Sequence, residues 1–302
     1  MEEKISQSFK LLPWMIVIVL LCGFTILGVL YNDKESPLGS QSQKIQLATS
    51  MRINFLKNVE AEKNAVLATT DDASEMFADK ARKTSNQVEE ERKELAAIIL
   101  HDGVSKEQQI MSEFDSFWVE FRKLDDEILK LATQNSNLKA QKLSSTRFSD
   151  DVQSFYKSLK NLIDQDLRDN QPGYISLYAY ESITAAFQIF ALQKAHIEEA
   201  DDAKMDQMEH EMKTCSYTAE KALQLLRRLP ELSADENLKN AESTYQQMIE
   251  VNAEILKLSR LNTNMKSSEM SLGKIRLITD KCQEILGVLQ NTVESRQFEG
   301  TK

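Results

Sequence analysis

From residue 121 onward the apolar positions fall at alternating spacings of three and four. One series runs Phe121, Leu124, Ile128, Leu131, Asn135, Leu138, crosses Lys142, Ser145 and Ser149, and resumes at Val152, Tyr156, Leu159 and Ile163. A second passes through Ile183, Phe187, Phe190, Lys194, Ile197, Asp201, Lys204 and Met208 to Ala222 and Leu225. A third runs from Met248, Val251, Ile255 and Leu258 across Asn262 to Ile275, Cys282, Leu286 and Leu289. This period places one stripe on one face of a helix, which is what a bundle helix needs to bury a seam against its neighbours. Phe117, Trp118, Phe155, Phe187 and Phe190 are its bulky members. Between Gly39 and Gly273 the only Gly and Pro residues are Gly103, Pro172, Gly173 and Pro230. Since these two residues are the strongest breakers, the pattern predicts long helices joined by turns near 103, 172 and 230. The predicted fold is all-α: a long antiparallel four-helix bundle of two hairpins, near 90 Å long if each helix runs straight for about 60 residues.

The two hairpins are copies. Glu127-Ile-Leu-Lys-Leu131 recurs as Glu254-Ile-Leu-Lys-Leu258, and Asn135-Ser-Asn137-Leu138-Lys139 is matched by Asn262-Thr-Asn264-Met265-Lys266, an offset of 127 positions. A weaker echo relates Leu67–Ala73 to Ile197–Ala203. A period this long means one duplicated module rather than a repeat array, with repeats at 41–167 and 174–299. Each seam turns polar near its centre. Asp71 lies 32 residues before Gly103 and Asn135 lies 32 after it, while Asp201 and Asn262 lie 29 before and 32 after Pro230. In unbroken helices these patches meet at one height, which gathers Thr69, Thr70, Asp71, Asp72, Asn135, Asn137, Lys194, Asp201, Asp202, Asn262 and Asn264. Three readings fit. The layer is a register device of buried polar residues, a ligand-binding layer carried by Thr70, Asp71, Asn135, Asn137, Lys194, Asp201, Asn262 and Asn264, or a set of helix caps and short loops, for which Thr, Asp and Asn are preferred.

The N-terminus changes the setting. Leu11–Tyr31 is apolar except for Thr25, and at ~1.5 Å per residue it can cross a hydrocarbon core of ~30 Å. No small-x-small cleavage pattern follows it, so it reads as an uncleaved anchor. The expectation is a cytoplasmic segment at 1–10, a span at 11–31, a linker at 32–40 and a helical body on the far side of the membrane. The net charge of −10 disfavours nucleic acid, whose phosphates need a basic face. Of three cysteines, Cys215 and Cys282 lie in the body. In a single long bundle they stand far apart in height and stay free, whereas a Cys215–Cys282 bridge would favour two stacked bundles.

No catalytic chemistry is encoded. There is no Gly-rich phosphate loop and no nucleophile elbow. None of His101, His196 or His210 has a Glu three residues before it, as a di-iron bundle requires. No catalytic residue, metal ligand or cofactor is expected.

At Glu62–Asp72, at Phe114-Asp-Ser-Phe-Trp118 and at Leu131–Ala140 the chain resembles the four-helix-bundle sensory module of bacterial methyl-accepting chemotaxis receptors. The resemblance covers about residues 1–165, and about 175–298 through the duplication. The resemblance implies sensing of a small molecule outside the membrane, with the helical body on the periplasmic side of a bacterial inner membrane. It also supplies an alternative architecture: such modules break at the Thr-Asp-Asp and Asn-x-Asn positions, which would give two stacked bundles of four shorter helices. The sequence contains no signalling domain of that family, so a homodimer or a partner receptor or kinase would carry the output. A scaffolding bundle of the same ancestry without a ligand is the second function class.

Overall fold

The computed structural model describes residues 37–168 and 173–296. The proposed span at 11–31 and its cytoplasmic flank lie outside the described residues. Within them the elements are α1 (Pro37–Leu67), α2 (Asp71–Asp102), α3 (Ser105–Gln134), α4 (Ser136–Leu143), a π-helical turn (Ser144–Phe148), α5 (Ser149–Arg168), α6 (Tyr174–Ile197), α7 (Asp202–Arg227), a 3-10 turn (Pro230–Leu232), α8 (Glu236–Leu261), α9 (Thr263–Leu272) and α10 (Lys274–Glu294). No strand occurs among the described residues, as the helical period predicts.

Two compact units divide the chain. The first takes residues 37–55, 86–117 and 281–296 of the described chain. There α1 and α2 are antiparallel: Ser40 Oγ donates to Asp102 at 2.8 Å and Gln43 to Glu94 at 3.0 Å. α3 follows beside α2, with Arg92 on Asp115 at 2.8 Å. α10 completes a four-helix set through Arg52 to Gln290 and Gln41 to the Val293 carbonyl. Met51, Phe55, Leu95, Phe114, Leu286 and Leu289 fill its core. At one end Lys44, fully buried, donates to Glu107 Oε2 at 2.6 Å and pairs with Asp102. Burial of the Asp102 carboxyl works to raise its pKa, but Lys44, Ser40 and Arg296 outweigh it and hold the group below its ordinary value.

The second unit takes residues 56–85 and 118–280 and contains two successive four-helix sets. One comprises the end of α1, the start of α2, the end of α3, and α9 with the start of α10. Small residues set its spacing: Ala61, Ala65, Ala78, Ala81 and Ala132 cluster around Leu129. The other comprises α4 to α5, α6, α7 and α8 around Phe148, Phe155, Leu159, Ile183, Ile189, Met248 and Ile255. α6 is long and apolar enough to cross a membrane by length and composition, but Ile175, Ala179, Ile183, Ala186 and Ile189 are buried in this core. Phe187 departs from the core assignment made on spacing and is half exposed.

The expectation of unbroken helices is not met. Besides the interruption at Gly273 between α9 and α10, the chain breaks at 68–70, 135, 198–201 and 262, and these four breaks are of two kinds. Those at 68–70 and 198–201 are reversals: Asn58 donates to the Ala81 carbonyl and Ser74 to that of Ala65, so α1 and α2 fold back on each other. Neither turn uses Gly or Pro. Thr70 Oγ1 accepts from the Ala73 N–H at 3.2 Å, and Asp201 Oδ1 accepts from Ala203 at 2.8 Å and Lys204 at 3.2 Å, so side-chain capping ends one helix and starts the next. At 135 and 262 there is no reversal. Both asparagines are left-handed, φ 50° and 53°, a conformation that a short polar side chain tolerates. The antiparallel pairing of the two runs continues through them, from Asn161 on Asn237 and Phe155 on Tyr245 to Ser136 on Thr263 and then Glu120 on Lys274.

The breaks are therefore those of the stacked alternative, with a further twist in how the helices are shared. Each four-helix set of the second unit takes three helical segments from one repeat and one from the other. Cys215 and Cys282 are both free, the first part-buried in the second unit and the second buried in the first.

Candidate functional site

The two left-handed joints lie against each other and are tied by reciprocal hydrogen bonds. A helix that starts after a left-handed residue has free N–H groups and no ordinary N-cap, and neither Asn135 nor Asn262 caps its own helix. Each strand of the joint instead caps the other. The Ser136 N–H donates to Thr263 Oγ1 at 3.1 Å, and the Thr263 N–H to Ser136 Oγ at 3.0 Å. The Asn137 N–H donates to Asn264 Oδ1, and the Asn264 N–H to Asn137 Oδ1. The side-chain amides cross as well: Asn137 Nδ2 donates to Asn262 Oδ1 at 2.8 Å, and Asn264 Nδ2 to Asn135 Oδ1 at 3.0 Å. Every pair joins a residue to its copy or to the asparagine two positions before its copy. This clasp accounts for the recurrence of Asn-Ser-Asn in the first repeat as Asn-Thr-Asn in the second.

The clasp also holds the two reversals. Asn135 Nδ2 donates to Asp71 Oδ1 at 2.9 Å, and Lys139 lies 3.6 Å from the same carboxylate. Asn262 Nδ2 donates to the Glu199 carbonyl at 3.0 Å and Asn137 Nδ2 to the Ile197 carbonyl at 2.9 Å. Behind the second reversal stands His196, fully buried. Its Nδ1 is 2.8 Å from Ser259 Oγ, which donates to the His196 carbonyl, and its Nε2 is 3.1 Å from Glu209 Oε1. Burial lowers the His196 pKa, and the nearby Arg260 adds to that against the opposing effect of Glu209. Arg260 in turn donates to Glu209 at 2.7 Å.

Two grooves flank α4 and the π turn. One, about 500 Å³, is lined by Gln141, Ser144, Ser145, Phe190, Ala191, Lys194, Ile197 and Glu198. The other, about 660 Å³, is lined by Thr69, Thr70, Asp71, Asp72, Leu138, Lys139, Gln141, Lys142 and Ser145. They share Gln141 and Ser145. The extra residue of a π turn widens the helix, and such turns gather at functional sites. Here the turn is anchored from behind, since Ser144 donates to Gln193 at 2.7 Å and Gln193 to Asn252 at 2.7 Å, a buried polar relay across three helices. Phe148 of the same turn packs on Phe190, ring centroids 5.8 Å apart.

The sequence-derived residues thus divide. Thr70 and Asp71 line one groove and Lys194 the other, while Asn135, Asn137, Asn262 and Asn264 are occupied by the clasp and Asp201 is an exposed helix cap. Gln141, Ser144 and Phe190 reach the groove, and Gln193 the relay behind it, only through the fold. The available signal was the polar crossing of the seam at Lys142 and Ser145.

With this geometry in hand, the family model described as a four helix bundle sensory module for signal transduction matches residues 1–169. The chain belongs to this family. The match bears out the resemblance read from the motifs. Among solved structures the sensory module is similar to a chain of the crystal structure of the TorS sensor domain–TorT complex in the presence of TMAO, at 11% identity and a TM-score of 0.52, over 86% of this chain and 100% of that one. At that identity the likeness is one of fold alone, and it supports the helical-bundle architecture. A comparison with curated proteins gives no match.

Proposed function

We propose that this module is the extracytoplasmic end of a membrane-anchored sensor, which binds a small molecule beside the π turn and signals through a second copy of itself or a partner receptor or kinase. The observation that carries the reading is the pair of grooves sharing Gln141 and Ser145 on the segment directly after the clasp. A ligand seated there touches both the π turn and, through Asp71 or Ile197, the reversals that the clasp holds. The first groove suits a molecule with a small apolar body and a charged end, since Phe190, Ala191 and Ile197 give its lining apolar surface and Lys194 and Glu198 give it charges. The TorS sensor domain is seen bound to another protein, TorT, which makes a protein partner for this module a natural extension. Enzymatic activity, a cofactor, a resident metal and nucleic-acid binding form no part of the reading.

The test is thermal unfolding of the full chain in detergent micelles against amino acids, organic acids and small aromatics. A compound that binds only the folded state stabilises it by about 2.7 kcal/mol at one hundred times its Kd. A stabilising compound is expected, and its effect should vanish in Lys194→Ala combined with Phe190→Ala. If no compound in these classes shifts the transition, the scaffolding alternative stands in its place. The anchor has its own check. The protein should keep Met1 and remain with membranes through an alkaline wash, whereas recovery of a soluble form starting after residue 31 would refute it.

A further inference from the structure

Away from the grooves, the second unit holds a cluster of buried acidic and amide oxygens that the sensory reading does not use. Asn58 and Glu62 lie one turn apart on α1, and Asp125 faces them from α3. They are 0%, 1% and 3% exposed. Asn58 Nδ2 donates to the Ala81 carbonyl of α2 at 2.8 Å and to Asp125 Oδ2 at 3.2 Å. That leaves three buried oxygens without a donor: Asn58 Oδ1, Glu62 Oε1 and Asp125 Oδ1. A carboxylate in such a place costs several kcal/mol unless it is paired, and the charges nearby do not pair it. Lys63 on α1 and Arg122 on α3 favour the charged forms, Asp126 on α3 opposes them, and α9 contributes the Ser271 hydroxyl to Glu62. From α2 the Ala81 carbonyl faces the cluster and accepts from Asn58.

We propose that Asn58, Glu62 and Asp125 form a proton-binding site in the core of this unit, occupied by one proton shared between the two carboxyls. The missing donor is then the acid proton itself, which one carboxyl supplies to an oxygen of the cluster. The Asn58 Oδ1 atom matters here, because it is an acceptor that only a proton-bearing group can satisfy. Burial pushes the Asp125 carboxyl up to about 7, with Glu62 and Asp126 adding to the rise against the opposing Asn58 and Arg122, and burial raises Glu62 as well. The site therefore titrates within the range that the space outside a bacterial cell covers. Between about pH 4 and 7 the folded state holds this proton while the unfolded chain has released it, so stability falls as pH rises across that window. Above it two negative charges share the core, and the α1–α3 contact loosens.

The proposal is independent of whether the grooves bind a ligand. Its test is the pH dependence of the unfolding temperature of the full chain in micelles, for the wild type, Asp125→Asn and Glu62→Gln. The wild type should lose stability from pH 5 to pH 8, and Asp125→Asn, which mimics the protonated form, should remove most of that slope and match or exceed the wild type at pH 8. The infrared carbonyl band of a protonated carboxylic acid should be present in the wild type at pH 6 and lost in the Asp125→Asn, Glu62→Gln double variant. That second readout decides the matter even where a variant folds poorly. An unchanged pH slope in both single variants overturns the site. So does a rise in the wild-type unfolding temperature at pH 8 with calcium or magnesium that Asp125→Asn abolishes, since it would make the cluster a metal site.

Discussion

Lys44→Ala should destabilise the protein by about 3–5 kcal/mol, because it strips the cation from a buried ion group and leaves the partner charges behind. Lys44 is 0% exposed and Glu107 is 1% exposed, with Nζ on Oε2 at 2.6 Å and Asp102 on the same ammonium. Arg296 lies 3.8 Å from both carboxylates, but it is part-exposed and at a distance where screening weakens it. The measurement is urea unfolding of the full chain in micelles, followed by circular dichroism. Lys44→Met combined with Glu107→Leu should recover part of the loss, since it removes the fully buried pair together and leaves only Asp102, which is 17% exposed and keeps Ser40 and Arg296 nearby. If Lys44→Ala costs less than about 1 kcal/mol, the cluster is hydrated and behaves as a surface pair. Acid should act in the same place. Asp102 is held below its ordinary pKa, so its contribution is present above the unfolded value and is lost as pH falls through the folded one. This is the opposite sense to Asp125.

Replacing Asn135 and Asn262 together by Leu should destabilise the second unit by roughly 2–5 kcal/mol per site. About 1–2 of that comes from forcing a larger side chain into the left-handed region and about 1–3 from the buried groups of the clasp left without partners. Were the two asparagines polar residues at core positions of continuous helices, the same change would raise stability, as apolar replacements of buried polar groups often do. Asn135→Gly with Asn262→Gly separates the two terms. Glycine takes positive φ at no steric cost, so its loss should be the hydrogen-bond part alone, smaller than that of Leu. A Leu pair that unfolds at or above the wild-type temperature would refute the clasp.

The helices, the bundle and the duplication were legible in the sequence because each rests on local information. A seam at spacings of three and four reports which face of a helix is buried, whatever it is buried against, and Gly103, Gly173 and Pro230 mark turns wherever they fall. The same information failed at residues 68–70, 135, 198–201 and 262. There the chain breaks with Thr, Asp and Asn, residues that also sit in helices, and the seam resumes in step on the far side. Whether Thr70 and Asp201 cap a new helix or ride in an old one depends on what their neighbours in space require.

Asn135-Ser-Asn137 and Asn262-Thr-Asn264 show this most directly. The sequence marked them as polar, duplicated and level with each other, and left open a register device, a ligand layer and caps. Only the fold brings the two copies into contact, so that each supplies the acceptors that the other's helix start lacks. Buried N–H groups must find partners, and these partners lie 127 residues away. The same holds for Asn58, Glu62 and Asp125, where two carboxyls 63 positions apart acquire their chemistry from burial on facing helices. Sequence alone determined that this protein is a duplicated helical sensor bundle. Which polar residues are joints, which line grooves and which hold a proton was decided by tertiary contacts, because hydrogen bonding and desolvation act between segments that the sequence keeps apart.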